Sequence, residues 1–270
     1  MIEARHINFA YGKKATLHDI SFELKPGSLC GILGSNGSGK TTLLKCLLGI
    51  LPVKSGLIRI NGKDLAALPP GKRARQAAYV PQDTKNYSTC TVFENVLLGR
   101  KPHFGSAPSE KDYHLVSQAL AELDLEDLAM RPVQTLSGGQ RQRMCIAKAL
   151  CQETPVIFLD EPTANLDIRY KLEVMQILQQ LAGKGKTIVF SVHDLSIPKA
   201  FCSDILLLKE GRLVAQGGPE VLTEKNIEIL YDVEFESIRS LVDGHSVPPG
   251  SPVHDNHQVL SLCRKRIAVN

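Results

Sequence analysis

The run GSNGSGKT, Gly34 to Thr41, spaces its glycines around a short turn and ends on a lysine and a hydroxyl. Gly34, Ser35, Asn36, Gly37, Ser38, Gly39, Lys40 and Thr41 fit the pattern G-x-x-x-x-G-K-[ST] without a mismatch, a pattern suited to a phosphate chain. Glycines let the backbone curl so that its N–H groups point inward, and the start of the following helix adds positive dipole. Lys40 brings a point charge to β- and γ-phosphates, the Thr41 hydroxyl can ligate Mg²⁺, and Thr42 can donate to an α-phosphate.

VIFLDEP supplies Asp160 and Glu161 at the end of an apolar run. Two adjacent acids there are costly unless they face a cation or a reacting group. Asp160 suits a Mg²⁺ shell, directly or through water. Glu161 is placed to polarise an attacking water as general base. A capping role for Glu161 is the weaker reading, because Pro162 already sets the turn. A second glycine-bearing stretch, LSGGQ, has the same physics: Ser137 is a good N-cap, Gly138 and Gly139 expose backbone N–H groups, and a strong helix follows Gln140. On spacing alone this is more readily an ordinary capped helix.

The phosphate loop needs a buried strand before it and a helix after it. SLCGILG is a short apolar run, and KTTLLKCLLGIL has helical periodicity. ARHINFAYG and DISFELKPG read as strands, GLIRINGKDL carries the Asn61-Gly62 hairpin signal, and QAAYVPQ is a further strand. From about 88 to 150 the pattern turns helical, with Ser109 as N-cap of one helix. Alternation then returns in PVIFLDEP, a helix ending at Gly183, KTIVFSVHD, and a hairpin around Glu210-Gly211. Strands alternating with helices imply α/β class, a parallel sheet and right-handed crossovers, with the 88–150 block as a helical insertion.

Composition narrows the class of partner. The 270-residue chain carries a net charge of only +4, and its one short basic run, Arg264 to Arg266, lies near the end, which argues against nucleic acid. Seven cysteines form no CxxC pair and sit mostly in apolar runs, as reduced thiols do. No signal peptide is expected at the N-terminus, and no apolar run is long enough to span a bilayer. A membrane role would need another chain. The Pro-, Gly- and His-rich stretch from Gly244 is expected to be loosely ordered; His245, His254 and His257 are too irregularly spaced for a metal site.

With these residues in view, the chain resembles the ATP-binding subunit of ABC transporters. LSGGQRQR is similar to that family's signature sequence with no departure. The resemblance covers about residues 1–236, leaving 237–270 as a tail. It implies a P-loop NTPase (RecA-like) core with an N-terminal antiparallel β subdomain, and an inserted helical subdomain at about 88–150. It implies a head-to-tail dimer, or paired ATPase subunits, in which Ser137, Gly138, Gly139 and Gln140 act on the partner chain's ATP. It makes Tyr11 the adenine-stacking aromatic, Gln82 the Mg²⁺ and water ligand linking core to helical block, Asn165 to Asp167 the D-loop, and His193 the residue touching the γ-phosphate. Pro198 stands where relatives often have a helix former, which puts the local helix in doubt.

TVFENVLLGRKPHFG and NIEILYDVEFE resemble the subfamily serving binding-protein-dependent importers of iron–siderophores, haem and cobalamin. The resemblance implies permease subunits in the membrane, a solute-binding protein acting indirectly, ATP with Mg²⁺, no nucleic acid, and a place on the cytoplasmic face of the membrane. Importers of molybdate or zinc/manganese share part of the pattern. A soluble ABC ATPase of cofactor assembly and a P-loop small-molecule kinase are rival classes, and the kinase would need neither LSGGQ nor Glu161.

Overall fold

A computed structural model describes residues 1–82 and 89–232. The chain opens with β1 (Ile2–Tyr11) and β2 (Lys14–Leu24), followed by β3 (Leu29–Leu33), α1 (Lys40–Leu47), β4 (Ser55–Ile60), β5 (Lys63–Asp64), α2 (Pro70–Ala74) and β6 (Ala77–Val80). A helical stretch holds α3 (Val92–Leu97), α4 (Glu110–Glu122) and α5 (Gly138–Cys151). The remainder alternates: β7 (Val156–Leu159), α6 (Ile168–Gly183), β8 (Thr187–Val192), α7 (Ser196–Phe201), β9 (Asp204–Lys209), β10 (Arg212–Gly217) and α8 (Glu224–Tyr231).

Two sheets form. One is antiparallel, in the order β2-β1-β4-β5; the other is six-stranded, in the order β10-β9-β3-β8-β7-β6. In the larger sheet β6, β7, β8, β3 and β9 run parallel, with β10 antiparallel on the edge. Successive side chains of a strand point to opposite faces. Leu33, Val80, Leu159, Phe190 and Leu207 therefore enter the core shared with α3 to α6, while Ile32, Phe158, Val189 and Leu206 enter the core shared with α1 and the antiparallel sheet. Burial on both faces is why these strands read as unbroken apolar runs.

Local signals account for several elements. Asn61 and Gly62 turn β4 into β5 with φ of 50° and 77°, the left-handed conformation that this hairpin demands. Ser109 opens α4 with a capping box completed by Asp112. Pro198 does not prevent a helix: it occupies the first turn of α7, where its missing N–H costs no intrahelical bond. The stretch beginning at Asp19 is strand, as the alternation predicts, but β2 starts earlier, at Lys14, because pairing with β1 extends to Tyr11↔Lys14. The 237–270 tail, with His245, His254 and His257, lies outside the described residues. No helix among the described residues is long and apolar enough to cross a membrane.

A buried ion pair fastens the helical stretch together. Arg100, 3% exposed, donates from Nε to Asp112 Oδ1 at 2.8 Å and from Nη1 to the Cys151 carbonyl and Glu153 Oε2, both at 2.7 Å. One guanidinium thus ties the start of α4 to the end of α5. Hydrogen bonds from the Ser109 N–H and hydroxyl, then from Arg100, pull the Asp112 carboxyl down to about 2. A depressed carboxyl contributes stability that is whole above its unfolded pKa and is lost as pH falls through the folded value. This contribution should therefore fade between about pH 4 and 2. Asp112→Ala, which takes one carboxylate from the buried guanidinium and leaves it Glu153 and the Cys151 carbonyl, should cost about 1–3 kcal/mol at pH 7. Urea melts of both proteins, at pH 7 and at pH 3, should show the gap narrowing at the lower pH.

Candidate active site

The carboxyl ends of β3, β7 and β8 meet at one place, where open parallel sheets hold ligands. β3 delivers the loop from Gly34 to Gly39, and α1 begins at Lys40. Gly34 has to be glycine: an added Cβ would lie 2.5 Å from Ser38 Oγ and would drive into the Leu208 carbonyl. Gly39, at φ 102°, turns the chain into α1. Lys40 folds back under the loop and donates to the carbonyls of Gly34 (2.9 Å) and Ser35 (3.0 Å). Burial lowers its pKa, and the charges of Glu161 and Asp160 partly offset that.

Asp160, just past the end of β7, is buried and well satisfied. Oδ1 accepts from Thr41 Oγ1 at 2.9 Å and from Ser191 Oγ at 2.6 Å; Oδ2 accepts from the Tyr79 hydroxyl at 3.3 Å. Burial, then the Asp160 charge and hydrogen bond, push the Tyr79 phenol pKa up, so it stays a donor. The Glu161 backbone is left-handed, at φ 48°, a conformation that a non-glycine residue keeps only when its surroundings hold it. Its N–H donates to the same Ser191 hydroxyl at 2.8 Å. The Glu161 carboxylate accepts from Gln82 Nε2 at 2.7 Å, and His193 Nδ1 stands 3.7 Å from the same oxygen.

Beside these groups lies a cavity of about 680 Å³, within the size range of small-molecule pockets; Gly34, Ser38 and Asp160 sit behind its lining. Ser35, Asn36, Gly37, Gly39, Lys40, Thr41 and Thr42 line one side; Gln82, Glu161 and His193 line another. The residues present fit a polyphosphate and a hard cation. The loop residues that line the cavity bring backbone N–H groups and hydroxyls to it, and Lys40 adds a charge, the donors a polyphosphate needs. The donors beside Lys40 that could hold a metal, Thr41 Oγ1 and the Asp160 carboxylate, are all oxygen, as Mg²⁺ prefers. Gln82 bonds to Glu161 rather than to this pair.

Two sets of expected residues stand apart. Tyr11 ends β1 half exposed, its ring edge-on to Phe9 at 4.8 Å between centroids, and it does not line the cavity. Ser137, Gly138, Gly139 and Gln140 also lie outside the lining. They open α5 with a capping box in which Ser137 Oγ accepts from Gln140 N–H at 3.3 Å and Gln140 Oε1 accepts from Ser137 N–H at 3.0 Å. Gly139 has a packing reason as well, since a Cβ there would lie 2.6 Å from the Tyr170 ring. Asp167 caps α6 by accepting from the Tyr170 N–H at 3.0 Å.

Sequence reading passed over Ser191, Tyr79 and the lining residues Thr16, Leu230, Tyr231 and Asp232. A hydroxyl inside the apolar run VFSV, two residues before His193, is the one signal that could have marked Ser191. Ser191→Ala leaves the Glu161 N–H without its acceptor and removes one bond from Asp160. It should lower stability by about 1–3 kcal/mol in chemical denaturation, and Ser191→Thr should recover part of the loss.

The sequence family described as ABC transporter matches residues 17–164. An uncharacterised ABC transporter ATP-binding protein of Methanocaldococcus jannaschii is 41% identical over 240 residues, 87% of this chain and 93% of that protein. The hemin import ATP-binding protein of Rhizobium meliloti is 36% identical, covering 92% and 97% of the two chains, and the petrobactin import ATP-binding protein of Bacillus subtilis is 35% identical, covering 86% and 93%. Among solved structures, an ATP-binding cassette in a dimeric post-hydrolysis state bound to ADP and Pi superimposes with a TM-score of 0.72 at 27% identity, covering 81% of this chain and 99% of that one. Matched over more than half its length by the family and at full-length scale by its relatives, with a phosphate loop and an acid pair at the ends of a parallel sheet, the chain belongs to the ABC transporter family.

Proposed function

We propose that this chain is the ATP-hydrolysing subunit of a binding-protein-dependent importer for iron(III)-siderophore, haem or cobalamin. It works on the cytoplasmic face of the membrane, held there by a separate permease that a solute-binding protein supplies. Two copies, or two paired ATPase subunits, close on ATP, and hydrolysis reopens them. The relatives that import hemin and petrobactin support an iron complex over molybdate or zinc/manganese.

The observation that carries the shared site is the position of Ser137 to Gln140. They form a self-capped helix start outside the cavity, with Ser137 and Gly138 exposed, while Lys40, Thr41, Glu161 and His193 all border it. A helix N-terminus with free N–H groups attracts anions, and here the cavity of the same chain is not what it faces. A second copy would bring its own start of α5 to this chain's phosphates.

Within the cavity the loop N–H groups and Lys40 bind the phosphates; Tyr11, outside the lining, stacks on a base that extends beyond it. Thr41 and Asp160 hold Mg²⁺, which when bound polarises the phosphoryl oxygens. Glu161 accepts the proton of the attacking water. Gln82 bonds to the Glu161 carboxylate and orients it, and His193, beside the same oxygen, contacts the transferring group. ATP acts as the ligand that favours the closed pair, so closure is a population shift set by its differential affinity.

Glu161→Gln keeps the shape and removes the base. Turnover should fall about 10²–10⁴-fold, and with ATP the variant should elute from a sizing column as a dimer; a monomer under those conditions contradicts the proposal. Lys40→Ala and Ser137→Arg should separate binding from assembly. Lys40→Ala should weaken ATP binding by about tenfold or more in equilibrium binding with a fluorescent analogue. Ser137→Arg should bind ATP normally yet neither dimerise nor hydrolyse it.

A further inference from the structure

The segment carrying His193 is held from three sides. Ser191, two residues before it, is tied to Asp160 and to the Glu161 N–H. Asp194, one residue after it, caps the start of α7, accepting from the Ser196 N–H at 2.9 Å and its hydroxyl at 2.7 Å. The third hold comes from a helix that follows later in the chain. The Tyr231 hydroxyl donates to the His193 carbonyl at 3.1 Å, across 38 positions.

Tyr231 is the last residue of α8, and α8 is well anchored. Ile227 and Leu230 are buried in the core under the parallel sheet. Lys209, at the end of β9, donates to the Ile229 carbonyl at 2.6 Å and pairs with the Asp232 carboxylate. A cation there satisfies helix carbonyls that have no intrahelical partner and matches the negative end of the dipole. Leu230, Tyr231 and Asp232 themselves line the cavity, opposite the phosphate loop. Burial, then the Asp194 charge, raise the Tyr231 phenol pKa, so the group remains an O–H donor.

We propose that the C-terminal end of α8 is a strut of the active site: Tyr231, braced by Lys209, is a positioning residue that fixes the His193 backbone and through it the imidazole beside Glu161. This rests on the role proposed above for His193. Among the described residues the imidazole has no hydrogen bond within 3.5 Å to hold it; its Nδ1 stands 3.7 Å from the Glu161 carboxylate. Its aim is therefore set by its backbone, and a shift of about 1 Å at a reacting group can cost on the order of 10²-fold in rate. α8 also closes one side of the cavity, which ties this helix to both the shape of the site and the aim of one of its residues.

The test is Tyr231→Phe in the full-length chain, which keeps the ring and its packing and removes only the hydroxyl. Steady-state hydrolysis should show kcat down about threefold to tenfold, the worth of one hydrogen bond, with KM for ATP changed by less than about twofold and the melting temperature held. The ¹⁵N resonances of the His193 ring should move. Lys209→Met should act in the same direction. In a His193→Ala background, adding Tyr231→Phe should leave the residual turnover unchanged. An unchanged kcat in Tyr231→Phe, or an equal drop with and without His193, overturns the strut while leaving the ATPase reading intact. Full activity in His193→Ala overturns the role of His193 and the strut with it, still without touching the roles of Lys40 and Glu161.

Discussion

A carboxylate buried at the end of a parallel strand has to be satisfied, and in this protein the satisfaction of Asp160 organises everything near it. Its oxygens draw a hydroxyl from α1, one from β8 and a phenol from β6. Those three partners come from three separate strand–loop–helix connections, so the carboxylate fixes the relative position of the phosphate loop, the Glu161 turn and the His193 segment. An unpaired buried carboxylate would cost several kcal/mol. The same bonds that remove that cost place the residues of the site at hydrogen-bonding distance from one another.

Ser191 extends the network by one step. Its hydroxyl donates to Asp160 and accepts from the Glu161 N–H, so it pins a residue whose backbone is in a left-handed conformation. Backbone strain of this kind persists where the surroundings over-determine it. The layered core supplies the rigidity: β3, β7 and β8 are buried on both faces, and their ends cannot drift independently. The helical stretch is organised by a different buried charge, Arg100, which meets α4 and α5 through side-chain and carbonyl oxygens. Core and helical stretch thus each have their own polar staple, and Gln82, bonded to Glu161, stands where the chain leaves β6 toward the helices.

Much of this is legible in the sequence. The phosphate loop is a local motif, because its function depends on the backbone conformation of consecutive residues, and glycine spacing reports that directly. The caps Ser109 and Ser137 are equally local. The Asn61-Gly62 turn and the apolar runs of β7 and β8 also declare themselves. The start of β2 was missed although Lys14 to His18 alternate polar and apolar residues; the run is short, and pairing with β1 makes it strand. Pro198 looked like a break in α7 and was accommodated because only the first turn lacks its own bonds.

By itself the sequence determined the α/β class, the phosphate loop, the acid pair and the presence of a second glycine-bearing helix start. Each depends on residues close together in the chain, where geometry is set by a few φ and ψ angles. It took the folded chain to bring Gln82 and His193 to Glu161, to join Asp160 to the Glu161 backbone through Ser191, and to carry Tyr231 to His193. Those contacts link residues tens of positions apart. They arise from the order in which strands are laid into the sheet and from helices packed across it, and neither residue type nor local spacing encodes that order.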